Sequence, residues 1–314
     1  MSGAWHAGEL ALQQQTGVAP RMAEIGPRFL RDHMPEQHRQ FFAEQPFLLT
    51  GIRDEAGQPW ASLVAGVPGF ATSPTPQTLH IAATPLPGDP AAPHWRVGVP
   101  VGLLGLQAHT GRRNRMNGHI VAAGPEGFEI QVDQSFGNCP KYIHPREAVR
   151  APASPEVHVA SGSALDEDAA RIVASADTFF IASTHPDAGR TDEAFAGVDV
   201  SHRGGPPGFV RLPADGALRV PDYTGNSFFN TLGNLQLEPR CGLLFIDYAT
   251  GERLHLACRA TLLTERPDPV EWPGALRLLH LEVQRFVRLR GGLPLRWRDT
   301  VRAAAPAARP VPPG

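Results

Sequence analysis

Cysteine is scarce in this chain, and long apolar runs are missing. The three cysteines, Cys139, Cys241 and Cys258, show neither metal-ligand spacing nor an even disulfide set, which argues against a zinc site and a disulfide scaffold. No apolar run approaches the roughly 20 residues that span a bilayer, and the N-terminus lacks the charged-then-apolar pattern of a secretory signal. A reducing, cytoplasmic location is the expectation. Charge of one sign is lacking too: 29 basic against 31 acidic residues give a net charge of −2, so neither a nucleic-acid groove nor a membrane-binding patch is expected. There is no dinucleotide-binding Gly-x-Gly-x-x-Gly loop, no Walker-type phosphate loop and no His-Glu-x-x-His. The thirteen histidines are scattered without ligand spacing, so no metal is expected. A nicotinamide could act only as a diffusing electron donor.

What is present is ordinary for a globular protein with a sizeable core: 314 residues, 42% hydrophobic and 19% charged, with room for two domains of about 150 residues. Thirty-two glycines and thirty-two prolines favour short strands and many turns. Helices are predicted over Ala7–Gln15, Pro20–Asp32 and Pro35–Glu44, forming an N-terminal extension over 1–33 and a lead into the first strands. Strands are predicted over Phe47–Ile52, Trp60–Ala65, Thr78–Ala82, Val101–Leu106, His119–Ala122 and Phe128–Val132, with a hairpin turn at Asp54–Gly57. Six strands with short turns imply a small antiparallel barrel.

The same order then returns. A helix is predicted over Ala164–Ala176, started by Asp166 or Ser163, then a strand over Thr178–Ser183 and a long alternating strand over Leu276–Val287. Pro68-Gly69-Phe70 recurs as Pro207-Gly208-Phe209, a shift of 139 (207 − 68), and Leu79 recurs as Leu218. Gly102-Leu103-Leu104 recurs as Gly242-Leu243-Leu244, a shift of 140, and Thr110-Gly111-x-Arg113 as Thr250-Gly251-x-Arg253. The chain therefore reads as a mainly β protein with peripheral helices, built from two tandem split β-barrel units, 34–152 and 164–300, that form an intramolecular pseudo-dimer. The breaker-rich 152–163 segment is the expected boundary, and an Ala/Pro-rich tail over 301–314 the expected disordered end.

The richest stretch runs from Val198 to Ile246. Ser201-His202-Arg203-Gly204-Gly205 closes a strand, Gly225-Asn226-Ser227 follows a second strand, and a helix-like segment carries Asn230, Thr231 and Asn234. One arginine, several small hydroxyl and amide donors and glycines suit an anion held by side chains and backbone together, although turns alone also collect Gly, Asn and Ser. Ser201–Phe209 and Gly225–Asn234 resemble paired motifs of the pyridoxamine 5′-phosphate oxidase-like, flavin-binding split-barrel family, in a branch with Ser-His-Arg-Gly-Gly-x-Pro-Gly-Phe and Gly-Asn-x-x-x-Asn-Thr-Leu-Gly-Asn.

That resemblance implies flavin mononucleotide (FMN) between two barrels, and an FMN-dependent oxidoreductase of unspecified substrate. Arg203 would hold phosphate, with Ser201, Asn226, Ser227 and backbone N–H groups adding donors. Asn230 and Asn234 are either ligands or orienting groups. His202 is expected to face away from the cofactor, because Ser201 and Arg203 share the other strand face. The first unit would contribute Arg115, Asn117, Asn138 and Lys141, from the Arg112–Asn117 and Gln134–Tyr142 runs, with Lys141 or Arg115 near the pyrimidine edge of the ring. The Arg112–Arg115 cluster also reads as a solvated hairpin tip. The first unit is expected to have lost its own phosphate groups, with Leu63-Val64-Ala65 standing where the second has Ser201-His202-Arg203. Cys139 lacks the partners of a catalytic thiol. Expected partners are a small-molecule substrate and an external electron donor, with a homodimer as a further assembly, and neither nucleic acid nor membrane. The alternative function is a non-catalytic module for flavin, deazaflavin or haem; a barrel that has lost its cofactor and serves a protein partner is a third.

Overall fold

The chain opens with three helices, α1 (Ala7–Gln15), α2 (Ala19–Phe29) and α3 (Glu36–Ala43), in a computed structural model that describes residues 4–263 and 265–301. The expected disordered tail lies, apart from residue 301, outside the described residues. α1 starts at His6, whose ring nitrogen accepts the Gly8 N–H while the Glu9 carboxylate accepts the His6 N–H at 2.9 Å, satisfying two of the helix's free donors. α2 stops three residues earlier than predicted, because Arg31 exchanges backbone hydrogen bonds with Ser135 instead of continuing the helix. On α3, Phe41 and Phe42 are fully buried against the first barrel.

The first sheet comprises β1 (Phe47–Arg53), β2 (Pro59–Ala65), β3 (Ala71–Thr72), β4 (Thr78–Ile81), β5 (Pro100–Gln107), β6 (Arg112–Gly124) and β7 (Gly127–Gly137). After β8 (Arg146–Arg150), β9 (His158–Gly162) and α4 (Glu167–Ser175), the second sheet is built from β10 (Thr178–Thr184), β11 (Val198–Gly204), β12 (Leu218–Asp222), β13 (Arg240–Ile246), β14 (Arg253–Leu263) and β15 (Arg277–Arg290), with β9 added beside β15; α5 (Asn230–Leu237) lies between β12 and β13, and β16 (Leu295–Asp299) ends the order. Strand order is β2-β1-β5-β6-β7-β4-β3 in one and β11-β10-β13-β14-β15-β12 in the other, antiparallel throughout. The six principal strands thus match term by term, and each sheet curls around its own core. The fold is mainly β, two tandem split barrels packed as a pseudo-dimer.

Several sequence expectations need correction. β6 begins at Arg112, so the arginine cluster lies on a strand and is no hairpin tip. The segment read as a boundary carries β9, which pairs with β15. The long alternating strand changes phase: a bulge opposite Ala257/Cys258 leaves Arg285 exposed and turns Phe286 inward. An equivalent bulge sits at Asn117/Gly118 in the first unit. α4 starts at Glu167 with Asp166 as its cap, accepting the Ala169 N–H at 2.7 Å.

The units meet through a shared apolar layer that includes Leu49, Leu63 and Leu104 from the first and Phe180, Val200 and Leu244 from the second. The recurring Gly-Leu-Leu lies at this contact. A Cβ on Gly102 would stand 2.4 Å from the Val198 carbonyl oxygen, and one on Gly242 would stand 2.3 Å from that of Pro59. Each repeat keeps its glycine because the other unit's strand crosses there. β8 and β16, the strands after β7 and β15, pair with each other and close this junction. No helix among the described residues is long and apolar enough to cross a membrane.

Candidate anion-binding site

The pseudo-symmetry places β6 of the first unit beside β11 of the second. Between them, the loop from Tyr223 to Phe229 and the first turn of α5 enclose a cavity of about 150 Å³. The loop is tightly specified: Ser227 and Phe229 both have left-handed backbones, at φ 66° and 65°, and the Asn226 side chain accepts the Phe228 N–H at 3.1 Å. Phe229 leaves α5 without a side-chain cap, so the helix presents free N–H groups at Asn230, Thr231 and Leu232, all at the cavity wall.

Three guanidinium groups converge on this cavity. Arg203 donates from Nη1 to Asp222 at 2.7 Å, Arg113 donates from Nη1 to His202 Nδ1 at 3.1 Å, and Arg115 donates to Asp199 at 3.0 Å and to the Ser201 hydroxyl. In each of them Nε is buried without a hydrogen-bond partner, and so is the amide nitrogen of Asn138. Four unpartnered donors at one cavity mark an unsatisfied demand for acceptor oxygens. Burial, with Arg115 and Arg203 nearby, brings Arg113 down to about 10, partly offset by Cys139. An anion would relieve that repulsion. Ser201 accepts from both Arg115 and Thr231 (2.9 Å), which leaves its own hydroxyl hydrogen for a ligand oxygen.

Of the expected site residues, the structure gathers Ser201, His202, Arg203, Gly225, Asn226, Ser227, Asn230, Arg115 and Asn138 around this cavity. His202 departs from the expectation that it faces away, since it borders this cavity and a second one while holding Arg113. Burial and the neighbouring Arg113 keep its imidazole well below its ordinary pKa, so it accepts from Arg113 as a neutral ring. Asn117 and Asn234 lie behind the wall, both bonded to Asp199 at 2.6 and 3.2 Å. Lys141, the chain's one lysine, lines an adjoining recess with Tyr142 and Tyr223, whose rings stack 5.1 Å apart.

Sequence reasoning missed Asp199, Asp222 and Thr231 as partners of the site's cations and hydroxyl. Alternation offered the signal, because Asp199 and Ser201 lie two apart on one strand and so share a face. It also gave the N-terminal helices no part in the site. α1 in fact braces α5: a Cβ on Gly8 would stand 2.2 Å from the Gly233 carbonyl oxygen, Glu9 accepts from Asn230 at 2.5 Å, and Gln13 donates to the Phe228 carbonyl.

Beyond His202 lies the second cavity, of about 320 Å³, walled by Phe47, Ile143, Tyr248 and Trp297 and bordered by His144, Arg146 and Arg150. Arg146 grips both oxygens of Asp177 and lies 4.3 Å over the Tyr248 ring. Burial alone would raise the Asp177 carboxyl, but the Arg146 fork overrides it and holds the group below its usual range. Among the described residues no cluster of His, Cys, Asp and Glu could hold a metal, and the three cysteines are free.

No protein-family model matches the chain, and no curated protein matches it. Solved structures share partial likeness. A FAD-binding protein from Mesorhizobium loti is 13% identical, covering 42% of this chain and 97% of that one, with a TM-score of 0.27. A protein related to general stress protein 26, of the pyridoxinephosphate oxidase family, from Clostridium acetobutylicum is 13% identical over 42% of this chain and 92% of that one, at 0.27. HutZ, the haem storage protein of Vibrio cholerae, is 13% identical over 42% and 93%, at 0.24.

Proposed function

We propose that the cleft between the two units binds the phosphate of flavin mononucleotide and that the protein is a flavin-dependent oxidoreductase. The observation that carries this reading is the convergence of Arg113, Arg115 and Arg203, with unpartnered Nε groups, on the uncapped N-terminus of α5. A dianionic phosphate answers all of these donors at once. When bound, the flavin would supply hydride or electron transfer, and the chain would supply position and field. Arg203 and Arg113 bind and orient the phosphate; Ser201 donates its hydroxyl; neutral His202 fixes Arg113 without adding charge. Arg115, held by Asp199 and Ser201, belongs to the phosphate side. Lys141 is the cation left for the ring side. The aromatic cavity past His202 is the route for the small-molecule substrate, and electrons come from a separate donor.

The visible absorption of the protein purified without added cofactor, followed by turnover with a reduced nicotinamide and oxygen, tests both halves of this reading. Flavin bands with sustained turnover support it. Tight flavin without turnover would leave a storage or sensing module, and a haem Soret band would replace flavin with haem.

A further inference from the structure

The pseudo-twofold image of the anion cleft lies between β2 of the first unit and β14 of the second. Pairing through the equivalent Leu103 and Leu243 equates Ser62 with Ser201, one residue earlier than the sequence comparison placed it; the first unit has therefore kept the serine and lost only the histidine and arginine. Pairing through Leu244 and Ile246 likewise equates His255 with Arg115 and Arg253 with Arg113. The image thus has its own serine and its own pair of basic residues, yet Arg253 and His255 are completely buried.

Asp89 fills the place. It comes from the segment after β4, as the anion-site loop comes from the segment after β12. Gly88, at φ 78°, turns that segment inward until a Cβ there would stand 3.1 Å from Leu289 and from Val159. The Asp89 carboxylate accepts from the Ser62 hydroxyl and from the Ala91 N–H at 2.8 Å, and its Oδ2 lies 3.9 Å from His255 Nε2. Arg253 donates from Nη2 to the Gly291 carbonyl at 2.7 Å, while its Nε and Nη1 and the His255 Nε2 find no hydrogen-bond partner. Burial brings Arg253 down to about 10, and the Asp89 charge acts against that fall. A serine hydroxyl and a loop N–H hold this carboxylate within the field of the Arg253 guanidinium, and so repeat inside the protein part of the donor set that the open cleft offers to a ligand, while His255 donates from Nδ1 to the Ala61 carbonyl.

We infer that Asp89 is a tethered anion: it holds in the first unit's cleft the place that a ligand oxyanion takes in the second, so the chain carries one open and one self-filled oxyanion site. The self-filled site accepts a free carboxylate of formate or acetate size once the Asp89 side chain is removed. This goes beyond the flavin reading: it rests on the second cleft taking an oxyanion, and not on that oxyanion belonging to a flavin.

The test is the melting temperature of Asp89→Gly in sodium chloride against sodium formate or acetate at equal ionic strength and pH. The variant should melt lower than wild type and regain stability with formate in a saturable way, because a ligand that binds only the folded state stabilises it by mass action. Wild type should respond only through its open cleft, the variant should respond more strongly, and adding Arg253→Met should cut the variant's response back to the wild-type level. A variant that responds no more than wild type, or whose excess over wild type survives Arg253→Met, would overturn the inference. If Asp89→Gly does not fold, Asp89→Asn serves instead: its loss should be largely recovered in the double variant with Arg253→Met, and additive losses would equally overturn the inference.

Discussion

Arg115 of the first unit is bound to Asp199 of the second at 3.0 Å, with both side chains nearly closed to solvent. The cation at the back of the cleft is therefore fixed by the other unit's carboxylate, and Asn117 and Asn234 bond to the same carboxylate from either side. Removing one member of a buried pair leaves the other uncompensated, at a cost of about 3–5 kcal/mol. Asp199→Asn should lower the denaturant midpoint accordingly, whereas Asp199→Asn combined with Arg115→Met should lose less than the sum. Additivity would show that the pair is not coupled.

Arg203 has a different character, since it is only partly buried and Asp222 neutralises one face of it. Arg203→Ala should weaken FMN binding by one to two orders of magnitude, the equivalent of about 1.5–3 kcal/mol for a charged hydrogen bond. Some stability should be lost as well, because Asp222 is buried and keeps only Arg277, at 3.6 Å. Unchanged affinity by fluorescence titration would remove Arg203 from the phosphate site.

Gly242 is predicted to tolerate no side chain. Alanine there must displace the Pro59 carbonyl, which lies in a paired strand of the other unit. Overpacking of this kind costs about 1–3 kcal/mol. Gly102→Ala should behave alike by the pseudo-symmetry, and thermal melting of the two variants checks it. A loss at one position only would deny the equivalence.

Glu9 gives the fold a pH dependence. Burial is the main cause that pushes its carboxyl up from 4.5 to about 8, opposed by the His6 N–H and the Asn230 amide. A raised folded-state value means that the stability it contributes is full below about 4.5 and is lost as pH rises through about 8. Relative to Glu9→Gln, wild type should therefore lose stability steadily across that window. Parallel curves for the two proteins would show that Glu9 is ionised in the fold.

How much of this could be read from the sequence depended on whether the information was local or paired. The repeated Gly-Leu-Leu and Pro-Gly-Phe blocks revealed the duplication because each answers a backbone demand that recurs in both units. The Ser201–Arg203 run marked the cavity because its donors stand together near the end of β11, and the Gly225–Ser227 run because Asn226 ties that loop by accepting the Phe228 N–H. Asp199, Asp222 and Asp89 were missed because an acidic residue acquires its role from a partner distant in sequence, and only for Asp199 did the neighbourhood offer a signal, its alternation with Ser201. The one-residue error at Ser62 has the same origin. Register is set by strand pairing, and a slip of one exchanges the two faces.

The most direct measurement of the central claim is the affinity of wild-type protein for FMN against riboflavin, which differ only in the phosphate. If three arginines and a helix N-terminus are built for that group, FMN should bind at least about a hundredfold tighter, near 2.7 kcal/mol, and added inorganic phosphate should compete. Equal affinities, without competition by phosphate, would contradict the account and place the flavin, if it binds at all, away from Arg113, Arg115 and Arg203.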